Sequence, residues 1–506
     1  MRRVPEECQH ASAGLAPDPV HDLRVALRRC RSLADGLMAI DPDPDWKRMK
    51  KAGRSLFRSL GGLRDVQVMT EWVHKLGPTG DPETQALLDV LARREQEHKS
   101  TAAQALQAFD LHQWRRWSRE LPRRAARVKP GSLVFKHLAL ERWTEAHELH
   151  RRALRNRTQA ALHQLRIGIK RFRYIVENFL PDQYAAWSSD LKELQDLLGD
   201  IHDLDVLWAT AVQVDAFADA ESRLHWHQVI QNARDQRLER YRQRMIGSDS
   251  LWHVWRAELP HRDQVRAAAL ARLKLWASFL DPDFAHSQRV AALALQLFEG
   301  LLRLNLAPCS ANQDLRSVLY AAALLHDVGR CRREKRHHKI AYRFIRKLSP
   351  PLGWTPADLL LVAVVARFHR GALPRARHKA LQELTLDQKN IARRLSAILR
   401  LASSLDAVTR PHMRRLKIEE RNGNLLLAVP GYSPWSRTAE SIAASTHLLQ
   451  LTLRKPILVK PLPSVRKARN SGAGSQARAV TQLSHTSSAR HRRNSAVARN
   501  GIRKAS

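Results

Sequence analysis

The chain has 506 residues, and its 86 Lys and Arg against 49 Asp and Glu give a formal net charge of +37 at pH 7. Such an excess of cations favours a polyanionic partner, namely polyphosphate, nucleic acid or an anionic membrane surface. The longest apolar run, Leu359 to Ala366, is much shorter than the ~20 residues that a spanning helix needs, so membrane insertion is not expected. A chain of this length accommodates two or three domains.

The cysteine content and the N-terminal residues favour a reduced cytoplasmic environment. There are only four cysteines, no two of them form a CxxC pair, and the first residues do not resemble a secretory signal. Structural disulfides are therefore not expected, and the predicted location is the cytoplasm.

The first half of the chain carries helical rather than strand patterns. Residues 1–17 are predicted to form an irregular lead. A first basic helix is predicted from Val20 to Ile40, before an Asp-Pro-Asp-Pro turn, and a second from Trp46 to Leu60. A long, charge-rich helix is predicted from Glu83 to about Phe109, and further helices from about Leu133 to Met245.

Two of these helices share one arrangement of residues. The stretch HDLRVALRRCRS at 21–32 recurs as HQLRIGIKRFRY at 163–174. The first is followed by the motif LGGLRDV at 60–66 and the second by the similar motif LGDIHDLDV at 198–206. With about 100° per residue, the His and the cations of each stretch share one face of the helix, and apolar residues fill another. The chain therefore contains an internal repeat, near 20–75 and 160–210.

The repeats resemble the CHAD domain (conserved histidine α-helical domain), whose His-x-Leu-Arg helices are closed by Leu-Gly-x-x-Arg/His-Asp. The resemblance implies an all-α fold over 18–250, in which two related antiparallel helical bundles surround a basic central pore. It also implies binding of inorganic polyphosphate. The residues expected to bind it are His21, Arg24, Arg28, Arg31, Arg54, Arg58, Arg64, His163, Arg166, Lys170, Arg173 and His202.

A second helical unit is predicted over 260–457, where His and Asp residues are embedded in apolar helices. These clusters contain His286, His326-Asp327, His337-His338-Lys339, Arg367-Phe-His369-Arg370 and Asp406. A single buried His-Asp pair would favour a core histidine that its neighbour satisfies. Five such clusters instead favour a divalent metal such as Mn, Fe, Zn or Mg.

The clusters resemble the HD phosphohydrolase superfamily and, more narrowly, the HD-like C-terminal domain of the exopolyphosphatase/guanosine pentaphosphatase family. The resemblance implies metal ligation by His286, His326, Asp327, His338, His369 and Asp406, and catalytic roles for Asp327, Lys339, Arg367 and Arg370. Two positions depart from the pattern. Ser403 stands where relatives place their last metal carboxylate, with Asp406 one turn later, and Ile340 stands where relatives often carry a further His.

The C-terminal part changes pattern twice. Alternating runs on either side of Asn422-Gly423 predict a β-hairpin, followed by a helix and a short segment that ends near Val459. Residues 461–506 contain ten Lys and Arg and no acid, so this basic tail is predicted to be disordered. It is interpreted either as a solubilising segment or as an electrostatic tether for polyanions.

The predicted function is polyphosphate binding by the first half, coupled to an HD-type phosphohydrolase that acts on polyphosphate or a phosphorylated nucleotide. Nucleic acid is the expected competitor for the same cations. The alternative is a non-enzymatic scaffold of polyphosphate granules or nucleic acid, in which the HD unit has lost its activity.

Overall fold

The computed structural model describes residues 1–462 except 79, 216, 218, 311–313 and 410–414. The predicted basic tail lies outside the described residues from Pro463 onward. Within the described part, no helix has both the length and the apolar character to cross a membrane.

Ten helices are described up to residue 257, and they form the predicted helical first half. They are α1 (Arg3–Ser12), α2 (Pro17–Leu37), α3 (Pro44–Leu76), α4 (Pro82–Gln107), α5 (Leu111–Ala125), α6 (Leu133–Asn156), α7 (Gln159–Phe179), α8 (Pro181–Gln213), α9 (Ala220–Met245) and α10 (Leu251–Ala257). The N-terminal lead is not irregular as predicted, because Val4, Cys8 and Ala11 recur at helical spacing and bury one face of α1.

The duplication is visible in the helix lengths. α2 and α7 each have 21 residues, while α3 and α8 each have 33. The helix predicted to end at Leu60 continues to Leu76, because Leu60, Leu63 and Val66 extend its buried stripe past Gly61-Gly62. At Gly62 the ring of His98 lies 2.6 Å from where a Cβ would stand, so this glycine allows α4 to approach closely. α2 packs against α7 and α3 against α8, which brings the two repeats face to face.

The second half is also helical, with one small sheet. Its helices are α11 (Asp263–Leu280), α12 (Phe284–Arg303), α13 (Leu315–Leu325), α14 (His337–Ile345), α15 (Pro356–Arg367), α16 (Lys379–Gln382), α17 (Leu386–Leu405) and α18 (Arg437–Leu453), with a 3-10 helix at Val328–Cys331. The all-α prediction, with a minor β component, is therefore confirmed.

The sheet contains the predicted hairpin and one further strand. β1 (Lys417–Arg421) pairs antiparallel with β2 (Asn424–Val429) across Asn422-Gly423, and β3 (Ile457–Pro461) pairs parallel with β2. Val429 stands opposite Pro461, and Leu462 N donates to Val429 O at 3.0 Å. The predicted start of the disordered tail, residue 461, is therefore wrong, because strand pairing orders the backbone to Leu462.

α11 joins the second half to the first through polar contacts, most of them partly buried. Arg272 donates to Glu141 Oε1 of α6 at 2.7 Å and to the carbonyl of Ala39, just beyond α2, at 3.2 Å. Glu141 Oε1 also accepts from Leu352 N at 3.0 Å. On the same side, Arg127 donates to Ser278 O at 3.0 Å. The guanidinium of Arg272 thus connects α11 with α6 and with the end of α2.

Replacing Arg272 by Ala is expected to lower the free energy of unfolding by about 2 kcal/mol, because a mostly buried Glu141 then loses its charged donor. Urea unfolding followed by circular dichroism measures this change. Lys274→Ala, on the same helix, serves as the control and should cost less than about 0.5 kcal/mol. Equal losses in both variants would show that the Arg272 contacts do not stabilise the fold.

Candidate polyanion pore and metal centre

The cations of the two repeats line a common cavity. Arg28 and Arg31 of α2 and Arg166 and Lys170 of α7 surround a space of about 290 Å³, beside a second space of about 270 Å³. Their helices turn these residues inward because the apolar faces of both helices are buried on the other side. We call these two spaces and the residues around them the basic pore.

The charges in the basic pore are close enough to perturb one another. Burial, together with Arg28, Arg64 and Arg166, lowers the pKa of Arg24 to about 10. Burial and the guanidinium groups around Lys170 lower its pKa to about 7. The side-chain Nε of Arg166 is buried and has no hydrogen-bond partner among the described residues. Cations from both repeats are therefore held together without full compensation, which is the electrostatic condition for binding an anion.

Equivalent residues of the two repeats influence one another in a similar way. His163 and His202 approach to 3.4 Å between their Nδ1 atoms. In the first repeat, His21 occupies the position of His163, and Arg64 that of His202. Burial and then Arg64 lower the pKa of His21. Burial and then Arg166 lower the pKa of His202 to about 4.

Two carboxylates that the sequence analysis did not select interact with the cations of the basic pore. Asp65 and Asp203 end the repeated Leu-Gly motifs. Burial raises the pKa of Asp203 to about 6, although Arg166 opposes the shift, and Asp65 adds to it. Burial likewise raises the pKa of Asp65, although the guanidinium of Arg24 opposes the shift. Their place in the repeated motif was the signal that could have identified them.

The remaining predicted pore residues are less closely gathered. Arg24 donates to Phe57 O at 3.0 Å and stacks over the Phe57 ring at 4.3 Å. Arg64 pairs with Glu71 at 3.1 Å, and Arg173 lies 3.9 Å from Glu177. Arg54 and Arg58 are exposed on α3. The structure thus concentrates the predicted set on α2 and α7.

The affinity of the basic pore for a polyanion is expected to fall as pH rises from about 7 to about 9. A bound polyanion offsets the repulsion at Lys170 and raises its pKa above the free value of about 7, so binding takes up a proton in this window but not below it. The expected slope is roughly one log unit per pH unit. Fluorescence titration at constant ionic strength measures it. Lys170→Arg should flatten the profile because its guanidinium stays charged, and an unflattened profile would contradict the role of Lys170.

A second cluster forms where several helix ends meet. His286 lies in the first turn of α12, where Asp283 caps the helix by accepting from His286 N at 3.1 Å. His326 and Asp327 follow α13, His337 begins α14, and His369 follows α15. All but His286 are at most 5% exposed. We call these five residues the His/Asp cluster.

Hydrogen bonds fix how each imidazole of the cluster presents its nitrogens. The Nδ1 atoms of His326, His337 and His369 lie 2.7–2.8 Å from the carbonyl oxygen three residues earlier in the chain. A carbonyl only accepts, so each Nδ1 carries the proton and each Nε2 presents a lone pair. His286 Nδ1 likewise lies 2.8 Å from Asp406 Oδ2. Such fixing of the tautomer by the other ring nitrogen is typical of metal-ligating histidines.

These lone pairs converge on one carboxylate. Asp327 Oδ1 lies 3.1 Å from His337 Nε2, 3.5 Å from His326 Nε2 and 3.8 Å from His369 Nε2. Two groups of candidate ligands share Asp327, one with His286 and His326 and the other with His337 and His369, and the ligand atoms of each group lie within 4.8 Å of one another.

The arrangement fits a divalent cation. His326 Nε2 is buried without a hydrogen-bond partner among the described residues. His337 Nε2 and His369 Nε2 are 3.3 Å apart, and two lone pairs at that distance require a proton or a cation between them. Burial opposes ionisation of Asp327, but the close approach of His337 and the other surrounding imidazoles outweighs burial and holds the pKa of Asp327 well below the usual range. Imidazole and carboxylate ligands suit Mn, Fe or Zn.

The geometry differs from the predicted metal set at two positions. His337, rather than His338, joins the groups in the described part of the chain, because adjacent residues on a helix point about 100° apart. Burial and then Arg367 lower the pKa of His338 to about 4. Asp406 also lies outside both groups. Its carboxylate accepts from Arg289 at 2.9 Å and orients His286.

A cavity of about 460 Å³ opens onto the His/Asp cluster. Beyond four cluster residues, its lining includes Arg330, Glu334, Arg370, Gly371, Arg400, Ser403, Ser404, Thr438, Ser441 and Ser445. Arg400 donates to the carbonyls of Phe368 and Gly371, which holds the segment that carries His369 and Arg370. Among the other predicted catalytic residues, Arg367 stacks over Phe368 at 5.2 Å, and Lys339 is exposed on α14.

The fold and these two sites define an all-α protein with a basic pore in one half and a His/Asp cluster in the other. Residues 5–212 match the CHAD domain, and residues 265–440 match the Ppx/GppA phosphatase, domain III. The chain is therefore a CHAD domain followed by a Ppx/GppA domain III, as the sequence motifs indicated. Together the matches indicate a function related to polyphosphate. A search of the curated proteins finds no match.

Proposed function

We propose that the CHAD domain binds inorganic polyphosphate in the basic pore. The observation that carries this proposal is the convergence of Arg28, Arg166 and Lys170 from two repeats on one cavity, with Arg24 near enough to contribute to the lowered pKa of Lys170. A linear phosphate polymer needs a series of cations and no group that reads bases, and the cavities between α2 and α7 offer that series.

Each kind of pore residue has its own part in binding. The guanidinium groups of Arg24 and Arg166 form charge-assisted hydrogen bonds with phosphate oxygens. Asp65 and Asp203 neutralise part of the excess charge in the free protein and hold the guanidinium groups in place. Arg54 and Arg58, exposed on α3, add to the positive field that attracts the polymer.

Competition binding tests this proposal. Fluorescently labelled polyphosphate is titrated with the protein, and unlabelled polyphosphate, single-stranded RNA and duplex DNA are added as competitors at matched phosphate concentration. Polyphosphate should displace the label at much lower concentration than either nucleic acid, at more than one ionic strength. Equal displacement by RNA or DNA would favour the nucleic-acid scaffold instead.

We further propose that the His/Asp cluster belongs to a metal-dependent phosphohydrolase acting on polyphosphate or a phosphorylated nucleotide. The supporting observation is the convergence of the Nε2 atoms of His326, His337 and His369 on Asp327 at the floor of a cationic cavity. When bound there, a divalent metal would supply Lewis acidity and lower the pKa of a water ligand.

The chain's own residues provide the remaining functions of such a site. Asp327 and the four imidazoles would hold the metal, and Asp406, braced by Arg289, keeps His286 in one orientation. Arg370 lines the cavity and stabilises negative charge that develops on the phosphoryl oxygens. Ser403 provides a hydroxyl in the cavity, at the position where relatives place a carboxylate.

Metal content and phosphate release test this second proposal. The purified protein is examined by elemental analysis and then assayed with Mn, Fe, Zn and Mg on polyphosphate, guanosine tetraphosphate and cyclic dinucleotides. The expected result is stoichiometric metal together with hydrolysis of one substrate class, measured as release of phosphate or pyrophosphate or as ring opening of the cyclic dinucleotide. A protein that binds no metal and hydrolyses none of these substrates would support the non-enzymatic scaffold.

A further inference from the structure

A short segment beside the His/Asp cluster is tied to it at both ends. Residues 332–336, which we call the basic loop, follow the 3-10 helix after Asp327 and precede His337. Both of those residues are buried in the cluster, at 4% exposure each. With so few residues between two fixed points, the basic loop must remain near the mouth of the cavity.

The basic loop carries four exposed cations and a single acid. Arg332, Arg333, Lys335 and Arg336 form no ion pair with any described residue, whereas Glu334 binds Arg330 at 2.7 Å and lines the cavity. Arg330 in turn contacts Asp327 at 3.1 Å. The one acid of the loop is therefore already neutralised, and the cations beside it are free to interact with an anion.

The opposite side of the mouth is also cationic. Arg370, next to His369, lines the cavity and is exposed. A Cβ on Gly371 would stand 3.3 Å from His338 Nε2, so the segment after His369 contacts the start of α14, where the basic loop ends. The two cationic segments thus flank the same opening.

We propose that the basic loop binds the part of a phosphate polymer that extends beyond the cavity, so that it determines a preference for long chains over short ones. This inference rests on the proposed phosphohydrolase function. A cavity of about 460 Å³ has the size of a small-molecule site. Only the end of a long polyanion fits inside it, and the following phosphates must lie across the rim, where Arg332, Arg333 and Lys335 meet them.

The test removes three loop charges and leaves the cluster intact. The variant is Arg332→Gln/Arg333→Gln/Lys335→Gln; Arg336, whose φ is +66°, is retained so that the backbone at this left-handed position is not disturbed. The matched control is Arg303→Gln/Arg343→Gln/Lys347→Gln, which removes three exposed cations from the same domain. Circular dichroism shows whether both variants are folded, and elemental analysis shows whether they bind the same amount of metal.

Kinetics provide the first measurement. For the loop variant, KM for long-chain polyphosphate should rise roughly tenfold, as expected when weak exposed phosphate contacts are lost, while KM for tripolyphosphate stays within twofold of the control. An equal change for both substrates would overturn the chain-length role, as would no change for either.

Binding provides a second measurement that does not depend on hydrolysis. The background for this measurement is a variant in which the pore is neutralised by Arg24→Gln/Arg166→Gln/Lys170→Gln. When the loop is neutralised as well, the slope of the logarithm of the binding constant for long-chain polyphosphate against the logarithm of the salt concentration should become smaller by roughly two to three units. The control triple should leave that slope unchanged. If no variant releases phosphate, the phosphohydrolase proposal fails, and this salt dependence alone decides whether the loop binds polyanions. An identical slope in loop and control variants overturns the inference.

Discussion

Replacing Asp327 by Asn is expected to lower the metal affinity of the protein roughly 100-fold or more and to abolish phosphate release. Asp327 Oδ1 is the point on which three imidazole Nε2 atoms converge, and both candidate ligand groups contain it. Even outer partners of metal ligands typically contribute 10–100-fold to affinity, so the loss of a shared ligand should exceed that range. Isothermal titration with Zn and Mn, followed by phosphate-release assays, measures both effects.

Two further variants show whether the effect of Asp327→Asn is specific to a metal site and whether that site is active in the wild-type protein. His338→Gln alters a neighbouring histidine that belongs to neither ligand group, and it should retain metal. Ser403→Asp restores a carboxylate at the cavity wall and should raise metal affinity. If wild type neither binds metal nor releases phosphate while Ser403→Asp gains both, the site is a decayed enzyme, and the scaffold interpretation is preferred.

Replacing Arg24 and Arg166 together by Ala is expected to weaken polyphosphate binding roughly 100-fold. Each guanidinium offers charge-assisted hydrogen bonds worth about 1.5–3 kcal/mol to a phosphate chain, and about 1.4 kcal/mol corresponds to a factor of ten. The fold should persist, because burial and neighbouring cations lower the pKa of Arg24 and its removal relieves that repulsion. Fluorescence anisotropy with labelled polyphosphate gives the affinity, and thermal unfolding gives the stability.

The control for this pair is Arg303→Ala/Arg343→Ala, which removes the same charge from exposed sites in the other half of the chain. A dissociation constant that is unchanged relative to this control at moderate salt would show that the basic pore is not the binding site. A large drop in unfolding temperature would instead assign Arg24 and Arg166 a structural role.

The duplicated part of the fold could be predicted because its signal is repeated. The spacing of cations and apolar residues in 21–32 recurs in 163–174, so both faces of α2 and α7 followed from helical periodicity alone. The hairpin at Asn422-Gly423 followed from local turn chemistry. α1 was missed because its buried face has only three small apolar residues among charged ones, and α3 was cut short because Gly61-Gly62 has the local pattern of a helix stop.

The composition of the His/Asp cluster could be predicted only in part. Adjacent histidines at 337 and 338 are equivalent in sequence, and only the start of α14 decides which one faces Asp327. Asp406 was expected as a ligand, but its carboxylate is bonded to Arg289 and His286 and so contacts a candidate ligand rather than the metal position itself. Contacts between residues more than a hundred positions apart depend on helix packing, which local patterns do not specify.

The equal lengths of α2 with α7 and of α3 with α8 have a consequence for the direction in which a ligand can bind. Equivalent residues of the two repeats, Arg24 with Arg166 and Asp65 with Asp203, act on one another across the pore. A site built from two copies of one unit presents similar groups from each copy. The two halves of a polyphosphate chain are identical, so both can meet the same contacts, whereas a nucleic-acid strand, with distinct 5′ and 3′ ends, can present matching groups to only one copy at a time.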